Sequence, residues 1–526
     1  MHIVIIGATP YGISAAAHLR RQNDNIRITI LEESTTINSV SCGFSLFLQG
    51  EFNDIDDISV ASPSLLKKIF NIDVKTNIKI SQIDYKSQTI YLENKQHLNY
   101  TKLIIAAAPI YSRPNIKGIL GDNIFTLNTS SSLLKINGYF WGFNARNILI
   151  MGNSKQALQI AQAFAHNKAK VTILTQNHFN MDIEFFTLLQ KKLQNQNITT
   201  ITSSYIQEFC PNYAILNNNK KIHFDMTVII DNSQPFSLPF SLEDISLGKN
   251  GHIIVDKNMQ TNLKNIFACG EIIEIANSID NTTFHPQDPS IISQTAKIAA
   301  DNVMGINKYL SSAFNNEIIP IGDYYYGICG YTESQLKQAN IEYNKAFLNT
   351  NLGENYIIEN SLLKSKLLFD NQGRILSLQL WGQKGVFSRL NIVSTMMQQN
   401  LTINDLQNIY LSHLPQLSKA SDTLNILANM ASAITFGNLK TISLKKLQQT
   451  DLLLNFSNLN SNFTAYSFEV LNISIPQLRS QWKFLPRKRT IALFCQYGYS
   501  AYIAYCFLSS KGFKNIYLVN SAELWD

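Results

Sequence analysis

The chain has 526 residues, of which 45% are hydrophobic and 15% charged, and its net charge is +7. This length predicts several domains, and the composition excludes a disordered or collagen-like chain. The longest basic run is residues 487–489, and no stretch approaches the ~20 apolar residues of a membrane span. We therefore expect neither nucleic acid nor a membrane among its partners.

Six cysteines are scattered along the chain without Cys-x-x-Cys or zinc-ligand spacing. We therefore expect neither a metal site nor a disulfide framework. The first residues enter directly into an apolar stretch, without a charged leader or a cleavage site. Together these features predict a protein of the reducing cytoplasm.

The N-terminal residues follow a strand, turn, helix, strand pattern. Apolar residues 2–6 lead into a turn with Gly7, Thr9 and Gly12, and the second strand ends on Glu32. Gly7 permits a tight turn and Gly12 lets the helix lie close to the strand, so that helix amides can contact a pyrophosphate. Because a carboxylate at the position of Glu32 binds ribose hydroxyls, the pattern predicts a dinucleotide-binding domain.

A second unit of the same kind begins about 145 residues later, with Gly152, Ser154 and Ala157 in its turn. Serine occupies the middle glycine position, and Thr175 stands where an acidic residue for the ribose is typical. The sequence therefore predicts two dinucleotide-binding domains, of which the second has a weakened site.

Four further segments follow one another along the chain. They are Ser-Cys-Gly around Cys42, an apolar strand over residues 100–106, Asn-Ile-Phe-Ala-Cys-Gly-Glu over 265–271, and a strand pair around 367–376. In this order the segments resemble the single-cysteine branch of the pyridine nucleotide disulfide oxidoreductases. That branch includes coenzyme A disulfide reductases, NADH oxidases and NADH peroxidases. The resemblance spans about residues 1–435.

The resemblance implies FAD in the first domain, NAD(P)H in the second and Cys42 as the redox nucleophile, since a cysteine with a lowered pKa can attack a disulfide. The cofactor-binding residues that it implies are Gly7, Thr9, Gly12, Glu32, Ala106, Gly152, Gly270 and Glu271.

Near the C-terminus, Cys495 opens a loop, Cys-Gln-Tyr-Gly-Tyr-Ser, between an apolar strand and a helix. This loop resembles the active-site loop of rhodanese domains, in which the cysteine carries a persulfide near the loop amides. Three charged residues of the rhodanese pattern are replaced here: the arginine of this loop by Ser500, and the aspartate and arginine of an early Asp-Val-Arg strand by Asn455 and Ser457. Their loss leaves the loop amides as the main feature for anion binding.

The predicted fold is α/β, with two Rossmann-like dinucleotide-binding domains, an α+β dimerisation domain and a C-terminal rhodanese-like α/β domain. The expected boundaries are 1–110 and 238–310 for the FAD-binding domain, 111–237 for the NAD(P)-binding domain, 315–435 for the dimerisation domain and 445–526 for the rhodanese-like domain.

Within the branch, the catalytic histidine of oxidases and peroxidases corresponds to Pro10, which cannot exchange protons. This substitution favours a disulfide substrate, for which thiolate attack is the central step. The resemblance also implies that His413 is a proton donor reaching from the second subunit of a homodimer. The basic residues that it implies for substrate binding are Arg20, Arg21 and Lys68.

The sequence thus predicts an enzyme that uses FAD and NAD(P)H to reduce coenzyme A disulfide or persulfide. An NADH oxidase is one alternative. A flavin-binding sensor or scaffold without turnover is another, and it is suggested by Ser154, Thr175, Asn455 and Ser500 together.

Overall fold

The computed structural model describes residues 1–35, 37, 43–58, 61–108, 113–230, 238, 240–354, 356–357, 360–437, 439–457, 463, 466–496 and 498–520. The chain forms two compact units, Met1–Asn180 with Lys192–Asn315 and Met181–Lys191 with Asn316–Asp526. Within the described ranges, no helix combines the length and apolar character needed to cross a bilayer.

The helices are α1 (Pro10–Gln22), α2 (Phe44–Gln49), α3 (Pro63–Phe70), α4 (Ser130–Gly142), α5 (Lys155–His166), α6 (Ile183–Gln194), α7 (Pro289–Val303), α8 (Glu333–Gln338), α9 (Val386–Gln398), α10 (Ile403–Asn408), α11 (Thr423–Thr435), α12 (Ile475–Gln481) and α13 (Tyr499–Ser510). Short 3-10 helices cover Ile55–Ile58, Leu444–Lys446 and Trp482–Phe484.

The strands before residue 316 are β1 (His2–Ile6), β2 (Arg27–Leu31), β3 (Asp73–Lys75), β4 (Ile80–Asp84), β5 (Thr89–Leu92), β6 (His97–Asn99), β7 (Lys102–Ile105), β8 (Ile124–Thr126), β9 (Asn147–Met151), β10 (Lys170–Thr175), β11 (Ile198–Thr202), β12 (Ile206–Cys210), β13 (Tyr213–Leu216), β14 (Lys221–His223), β15 (Met226–Ile229), β16 (Ser241–Leu242), β17 (Ile253–Ile254), β18 (Ile266–Ala268), β19 (Ile273–Ala276) and β20 (Thr283–Phe284). The later strands are β21 (Asn316–Ile321), β22 (Tyr324–Gly330), β23 (Asn344–Asn351), β24 (Leu362–Phe369), β25 (Ile375–Gly382), β26 (Thr441–Ile442), β27 (Leu452–Asn455), β28 (Glu469–Asn472), β29 (Ile491–Phe494) and β30 (Ile516–Val519).

Two parallel five-stranded sheets form the centre of the first unit. Their orders are β3-β2-β1-β7-β18 and β11-β10-β9-β15-β8, so each nucleotide-binding turn follows the middle strand of its sheet. Val4 in β1 and Ile150 in β9 have no exposed surface, as expected when helices cover both faces of a parallel sheet. The predicted α/β fold with two Rossmann-like sheets is confirmed.

The second unit also contains two five-stranded sheets, one antiparallel and one parallel. The antiparallel sheet has the order β21-β22-β25-β24-β23, with α9 against β22 and β25 and α11 against β23 and β24. The parallel sheet has the order β26-β30-β29-β27-β28 and is covered by α13.

A buried cluster of charges joins α6 and α8 to the antiparallel sheet. Lys366 in β24 has no exposed surface, and its Nζ lies 2.7 Å from Asp182 Oδ2, 3.0 Å from Glu184 Oε2 and 2.5 Å from Glu333 Oε1. These three carboxylates lie close enough together to hold one cation, and here they surround the ammonium group. Asp182 and Glu184 belong to the segment Met181–Lys191, which groups with the second unit.

The charges of this cluster stabilise one another. Burial alone would raise the pKa of Glu333, but Lys366, the Tyr343 hydroxyl and Lys345 outweigh burial and lower it to about 2. Glu333 therefore stays ionised in the folded protein far below its ordinary pKa. A depressed carboxyl pKa contributes stability that is present at neutral pH and is lost as the pH falls through the folded value.

We expect Lys366→Met to lower the free energy of unfolding at neutral pH by about 3–5 kcal/mol, because three carboxylates then lose their shared cation. The matched variant Lys345→Met removes a cation at the rim, where the side chain is 33% exposed. It should cost about 1 kcal/mol or less. Chemical denaturation followed by tryptophan fluorescence measures both losses.

The loss in Lys366→Met should also shrink as the pH falls from 4.5 towards 2, because the unpaired carboxylates take up protons. Equal losses in the two lysine variants, or a loss independent of pH, would contradict the role given to the buried ammonium.

Candidate functional site

The turn after β1 has no room for side chains at its two glycines. A Cβ on Gly7 would lie 2.5 Å from the Ala106 carbonyl oxygen, and φ at Gly7 is +102°. A Cβ on Gly12 would lie 2.1 Å from the Gly7 carbonyl oxygen. The first turn of α1 therefore packs directly on β1 and on the end of β7, as pyrophosphate binding at a helix N-terminus requires.

A hydroxyl residue caps the helix at the middle glycine position of both turns. Thr9 Oγ1 accepts the Gly12 N–H at 3.2 Å and donates to the Ala106 carbonyl at 2.8 Å. Ser154 Oγ accepts the Ala157 N–H at 3.3 Å at the start of α5. Because an N-cap hydroxyl turns back towards its own helix, serine at this position is compatible with a formed turn.

Glu32 follows β2 and lies beside the first turn. One carboxylate oxygen accepts the Ala8 N–H at 2.7 Å and the other accepts the Ser34 N–H at 2.9 Å. These bonds hold the carboxylate at the edge of the sheet where the sequence pattern predicts a ribose. Each oxygen can accept more than one hydrogen bond, so the carboxylate retains capacity for sugar hydroxyls.

The segment after β18 supplies the other predicted flavin-binding residues. Gly270 has φ of +91°, and a Cβ there would lie 3.5 Å from the Tyr11 ring at the start of α1. The Gly270 N–H donates to Thr295 Oγ1 in α7. Desolvation raises the pKa of the neighbouring Glu271 carboxyl. The structure thus brings Gly270 and the first turn of α1 together at one edge of the sheet.

Cys42 lies outside the described residues, but the chain directly after it is firmly held. In α2, Phe44 is buried and α2 packs on α5. Asn167, at the end of α5, donates from Nδ2 to the Leu48 carbonyl at 2.7 Å. The helix α2, which begins at Phe44, is therefore anchored by the helix that begins at the second nucleotide-binding turn.

Two other cysteines have the properties of core residues. Cys269 and Cys329 have no exposed surface, and burial raises the pKa of each thiol to about 12. Thiols that stay protonated at neutral pH are poor nucleophiles.

The second turn is formed, but the end of β10 offers no charge. A Cβ on Gly152 would lie 2.2 Å from the Ile230 carbonyl oxygen, so the close approach of chain segments is retained. Thr175 is buried, and its hydroxyl donates to the Asn177 carbonyl at 2.7 Å. Gln176 and Asn177 are exposed and uncharged. These three residues therefore provide no charge that would distinguish a 2′-phosphate from a ribose hydroxyl.

The three predicted substrate-binding cations are placed differently. Arg20 is buried, and its guanidinium donates to the backbone carbonyls of Phe70, Asp24 and Asn71. This geometry gives Arg20 a structural role, so the substrate-binding prediction does not fit it. Arg21 and Lys68 are exposed and can contact an anionic ligand.

His413 lies in the extended segment between α10 and α11 and is 40% exposed. Its Nε2 lies 3.3 Å from Glu354 Oε1, which also accepts the Ala420 N–H at 2.9 Å. A carboxylate in this position orients the imidazole ring, which is a useful arrangement for proton exchange.

Cys495 follows β29 and is buried. Two amides of its loop donate to protein groups, since Gln496 N–H bonds Ser457 Oγ at 2.9 Å and Gly498 N–H bonds the Cys495 carbonyl at 3.0 Å. Asn349 in β23 also donates to the Gln496 carbonyl. Local sequence gave no signal for Asn349, because 147 residues separate it from Gln496.

Asn455 replaces a charged residue of the rhodanese pattern and makes neutral contacts. Its amide donates to Asn472 Oδ1 at 2.8 Å, and its own Oδ1 accepts the Ser457 N–H at 3.0 Å. The surroundings of the Cys495 loop are therefore ordered by amides and a hydroxyl group, with little charge to attract an anionic sulfur.

Two helix N-termini lie at the carboxyl edges of two parallel sheets, and a carboxylate lies beside the first. This arrangement is typical of oxidoreductases that bind two dinucleotides, one in each domain. The chain belongs to the pyridine nucleotide-disulphide oxidoreductase family, whose sequence model matches residues 1–289. It is thus an FAD-dependent oxidoreductase that uses NAD(P)H.

Three relatives illustrate the similarity. A coenzyme A disulfide reductase of Staphylococcus haemolyticus is 23% identical over 445 residues, which cover 82% of this chain and 99% of that protein. The crystal structure of the reduced CoADR-RHD protein of Bacillus anthracis has a TM-score of 0.92 and 23% identity, covering 99% of this chain and 96% of that one. A NAD-dependent persulfide reductase from A. fulgidus has a TM-score of 0.91 and 23% identity, with 100% of both chains covered.

The residues around the first turn fit FAD. The space at Gly7 and Gly12 is closed to side chains, which leaves backbone to face a pyrophosphate, and Glu32 is held beside it. When bound, FAD accepts a hydride from NAD(P)H and passes two electrons to a disulfide. The second turn fits a pyrophosphate as well, but it provides no charged group for the ribose.

We expect Gly12→Ala to lower the FAD content of the purified protein by at least about tenfold, because the added methyl group must push α1 away from β1. The matched variant Gly138→Ala places a methyl group in α4, where nothing lies within 4 Å. It should keep its full flavin content. The ratio of flavin to protein absorbance measures both, and equal ratios would show that the close contact at Gly12 is not needed.

Proposed function

We propose that this oxidoreductase reduces coenzyme A disulfide or a coenzyme A persulfide, with Cys42 as its redox thiol. The observation that carries the proposal is the similarity along the whole length to a persulfide reductase, including the parallel sheet that presents Cys495. The alternatives lack this support, because an oxidase needs no sulfur-carrying domain and a flavin-binding scaffold needs no second nucleotide turn, which is nevertheless closely packed at Gly152.

The proposed reaction begins when the Cys42 thiolate attacks one sulfur of the disulfide. A mixed disulfide forms, the original sulfur–sulfur bond breaks, and the first product leaves as a thiolate that takes up a proton. Two electrons from NAD(P)H then cleave the mixed disulfide, release the second thiol and regenerate Cys42. With a persulfide substrate, the products are coenzyme A and hydrogen sulfide.

The anionic part of coenzyme A requires cations near this thiol. Arg21 and Lys68 are exposed, and we assign them to the phosphates of the nucleotide moiety. Arg20 supports this surface indirectly, because its bonds to the Phe70 and Asn71 carbonyls tie α1 to the end of α3.

The working form that we propose is a cytoplasmic homodimer. Large apolar side chains are exposed between α9 and the end of α11, as a covered interface would require: Phe387, Tyr410, Leu414, Leu417 and Phe436. In the dimer, His413 would supply a proton to the partner's leaving thiolate, with Glu354 orienting its ring. We also propose the four domains with the boundaries that the sequence predicts.

Cys495 is proposed to accept the outer sulfur of a coenzyme A persulfide: its thiolate attacks that sulfur, the sulfur–sulfur bond of the donor breaks, and coenzyme A leaves as a thiolate. Because two loop amides are already bonded within the protein, this transfer should be slow compared with reduction at Cys42. In this proposal the domain that contains Cys495 stores sulfur as a persulfide, and it does not determine the rate of disulfide reduction at Cys42.

Nicotinamide preference gives a direct test of the second site. Thr175→Asp should favour NADH over NADPH by about tenfold or more, because the new carboxylate binds ribose hydroxyls and repels a 2′-phosphate. The matched variant Thr175→Val removes the hydroxyl bond without adding charge and should leave the preference unchanged. Stopped flow measures the rate of flavin reduction with each nucleotide. The same nucleotide preference in both variants would refute the assignment of Thr175 to the ribose end of the site.

The redox role of Cys42 is tested by anaerobic titration with NADH and then NADPH, with and without coenzyme A disulfide. The native protein should lose its oxidised flavin absorbance and regain it when the disulfide is added. Cys42→Ser should still be reduced but should not respond to the disulfide, whereas Cys495→Ser should respond normally.

Other outcomes distinguish the alternatives. Reoxidation by oxygen alone, at the same rate with and without disulfide, would indicate an oxidase. Absence of flavin reduction by either nucleotide would indicate a flavin-binding scaffold.

A further inference from the structure

The positive charge of the chain is concentrated at its C-terminal end. Residues 440–526 contain ten lysine and arginine residues and four aspartate and glutamate residues, so they carry +6 of the net charge of +7. No acidic residue occurs between Glu469 and Glu523. The rest of the chain is nearly neutral, which means that this charge belongs to one domain.

Part of this charge is arranged in a ladder of alternating cations and aromatic rings, which we call the basic-aromatic ladder. The Arg487 guanidinium lies 4.8 Å from the Phe513 ring centroid and 5.9 Å from that of Trp482. Lys511 Nζ lies 5.5 Å from Trp482 and 5.6 Å from Phe507.

The ladder ends at Arg479, whose guanidinium lies 5.0 Å from the Phe507 ring centroid. Contacts of this kind hold long cationic side chains against the surface while their charges stay in water. Among the residues that the structure describes, no carboxylate pairs with Arg479, Arg487 or Lys511. The nearby Arg489 differs, because it is paired with Glu469 at 2.8 Å.

An exposed phenylalanine projects beside the ladder. Phe484 is 86% exposed and belongs to the same 3-10 helix as Trp482. Lys483 and Lys488, which flank it in the sequence, are exposed and have no described partner. A single exposed apolar side chain is common on protein surfaces. Here it stands beside a cluster of cations, so that an apolar group and positive charge are presented together.

We propose that the basic-aromatic ladder and Phe484 bind the surface of a membrane rich in anionic phospholipids. Lysine and arginine side chains near such a surface each contribute to binding, and an inserted phenylalanine adds an apolar anchor. This inference goes beyond the reductase activity, and it replaces the expectation from the sequence that no membrane takes part.

The details of the ladder favour lipid over the other polyanions. Its own cations already cover faces of Trp482 and Phe507, so nucleic acid bases cannot stack freely there. An acidic partner protein would need a pocket on its surface to bind the projecting Phe484 side chain. A lipid headgroup layer is fluid, so Phe484 can insert into it at any point.

The position of the ladder leaves the Cys495 loop open. The loop leads into the first residue of α13, Tyr499, whereas Phe507 and Lys511 lie at the other end of the helix. A helix of 12 residues spans about 18 Å. A membrane bound at the ladder therefore lies at the far end of α13 from Cys495.

The test is co-sedimentation of the full-length flavoprotein with vesicles of equal parts phosphatidylglycerol and phosphatidylcholine, and with vesicles of phosphatidylcholine alone. Binding should require phosphatidylglycerol and should fall at least tenfold when salt rises from about 0.05 M to about 0.5 M, because the Debye length shortens.

Lys514 is exposed and follows Phe513 of the ladder in the sequence. Charge reversal at Lys483, Lys488 and Lys514 (K483E/K488E/K514E) leaves the ladder contacts intact, because none of the three makes a ring contact of the ladder. It should weaken vesicle binding by about a hundredfold or more. The matched triple variant K95E/K220E/K249E changes the net charge equally at exposed positions of the first unit and should bind nearly as the native protein does. Phe484→Ser should weaken binding about tenfold at either salt concentration.

Several outcomes would overturn the proposal. Equal loss in the two triple variants would mean that net charge alone drives binding. Absence of vesicle binding together with salt-sensitive binding of single-stranded poly(U) would assign the ladder to nucleic acid. Absence of binding to both would leave no polyanion partner for this surface. Flavin reduction by NAD(P)H, measured in parallel, reports separately on the reductase.

Discussion

The close packing of α1 on β1 is the constraint on which the nucleotide-binding half of the molecule depends. It requires hydrogen atoms in place of side chains at Gly7 and Gly12, since a methyl group at either would overlap a carbonyl oxygen. The contact brings the helix N-terminus to the carboxyl edge of the sheet, beside Glu32. The contact made at Gly7 recurs at Gly152, where a Cβ would lie 2.2 Å from the Ile230 carbonyl oxygen, whereas Ala157 stands in place of the second glycine.

The local architecture could be predicted from the sequence because its signals are short in range. The sequence predicts a second strand, turn and helix around Gly152, and the structure has the strand Asn147–Met151 and the helix Lys155–His166 there. Apolar runs define buried parallel strands, and glycine defines the turn after each one. Ser154, which occupies a glycine position of the nucleotide-binding pattern, is the N-cap of this helix, and its hydroxyl accepts the Ala157 N–H.

Interactions between distant residues could not be predicted in this way. The sequence around Arg20 does not indicate that its guanidinium donates to carbonyls some 50 residues away, and from the sequence alone Arg20 is a candidate substrate ligand. Lys366 likewise has the sequence context of an ordinary strand residue, yet it is buried among carboxylates from two helices. Charged side chains whose partners are distant in the sequence leave no periodic pattern in the residues around them. Their partners can be identified only in the folded structure.

The buried ammonium of Lys366 also affects how the protein can be divided. Asp182 and Glu184 lie inside the stretch of sequence that encodes the second nucleotide-binding domain, although their counter-charge is encoded nearly two hundred residues later. A fragment that stops at Asn315 would carry both carboxylates without their cation. Gene fusions, domain swaps and recombination between relatives should therefore keep α6 and β24 from the same parent.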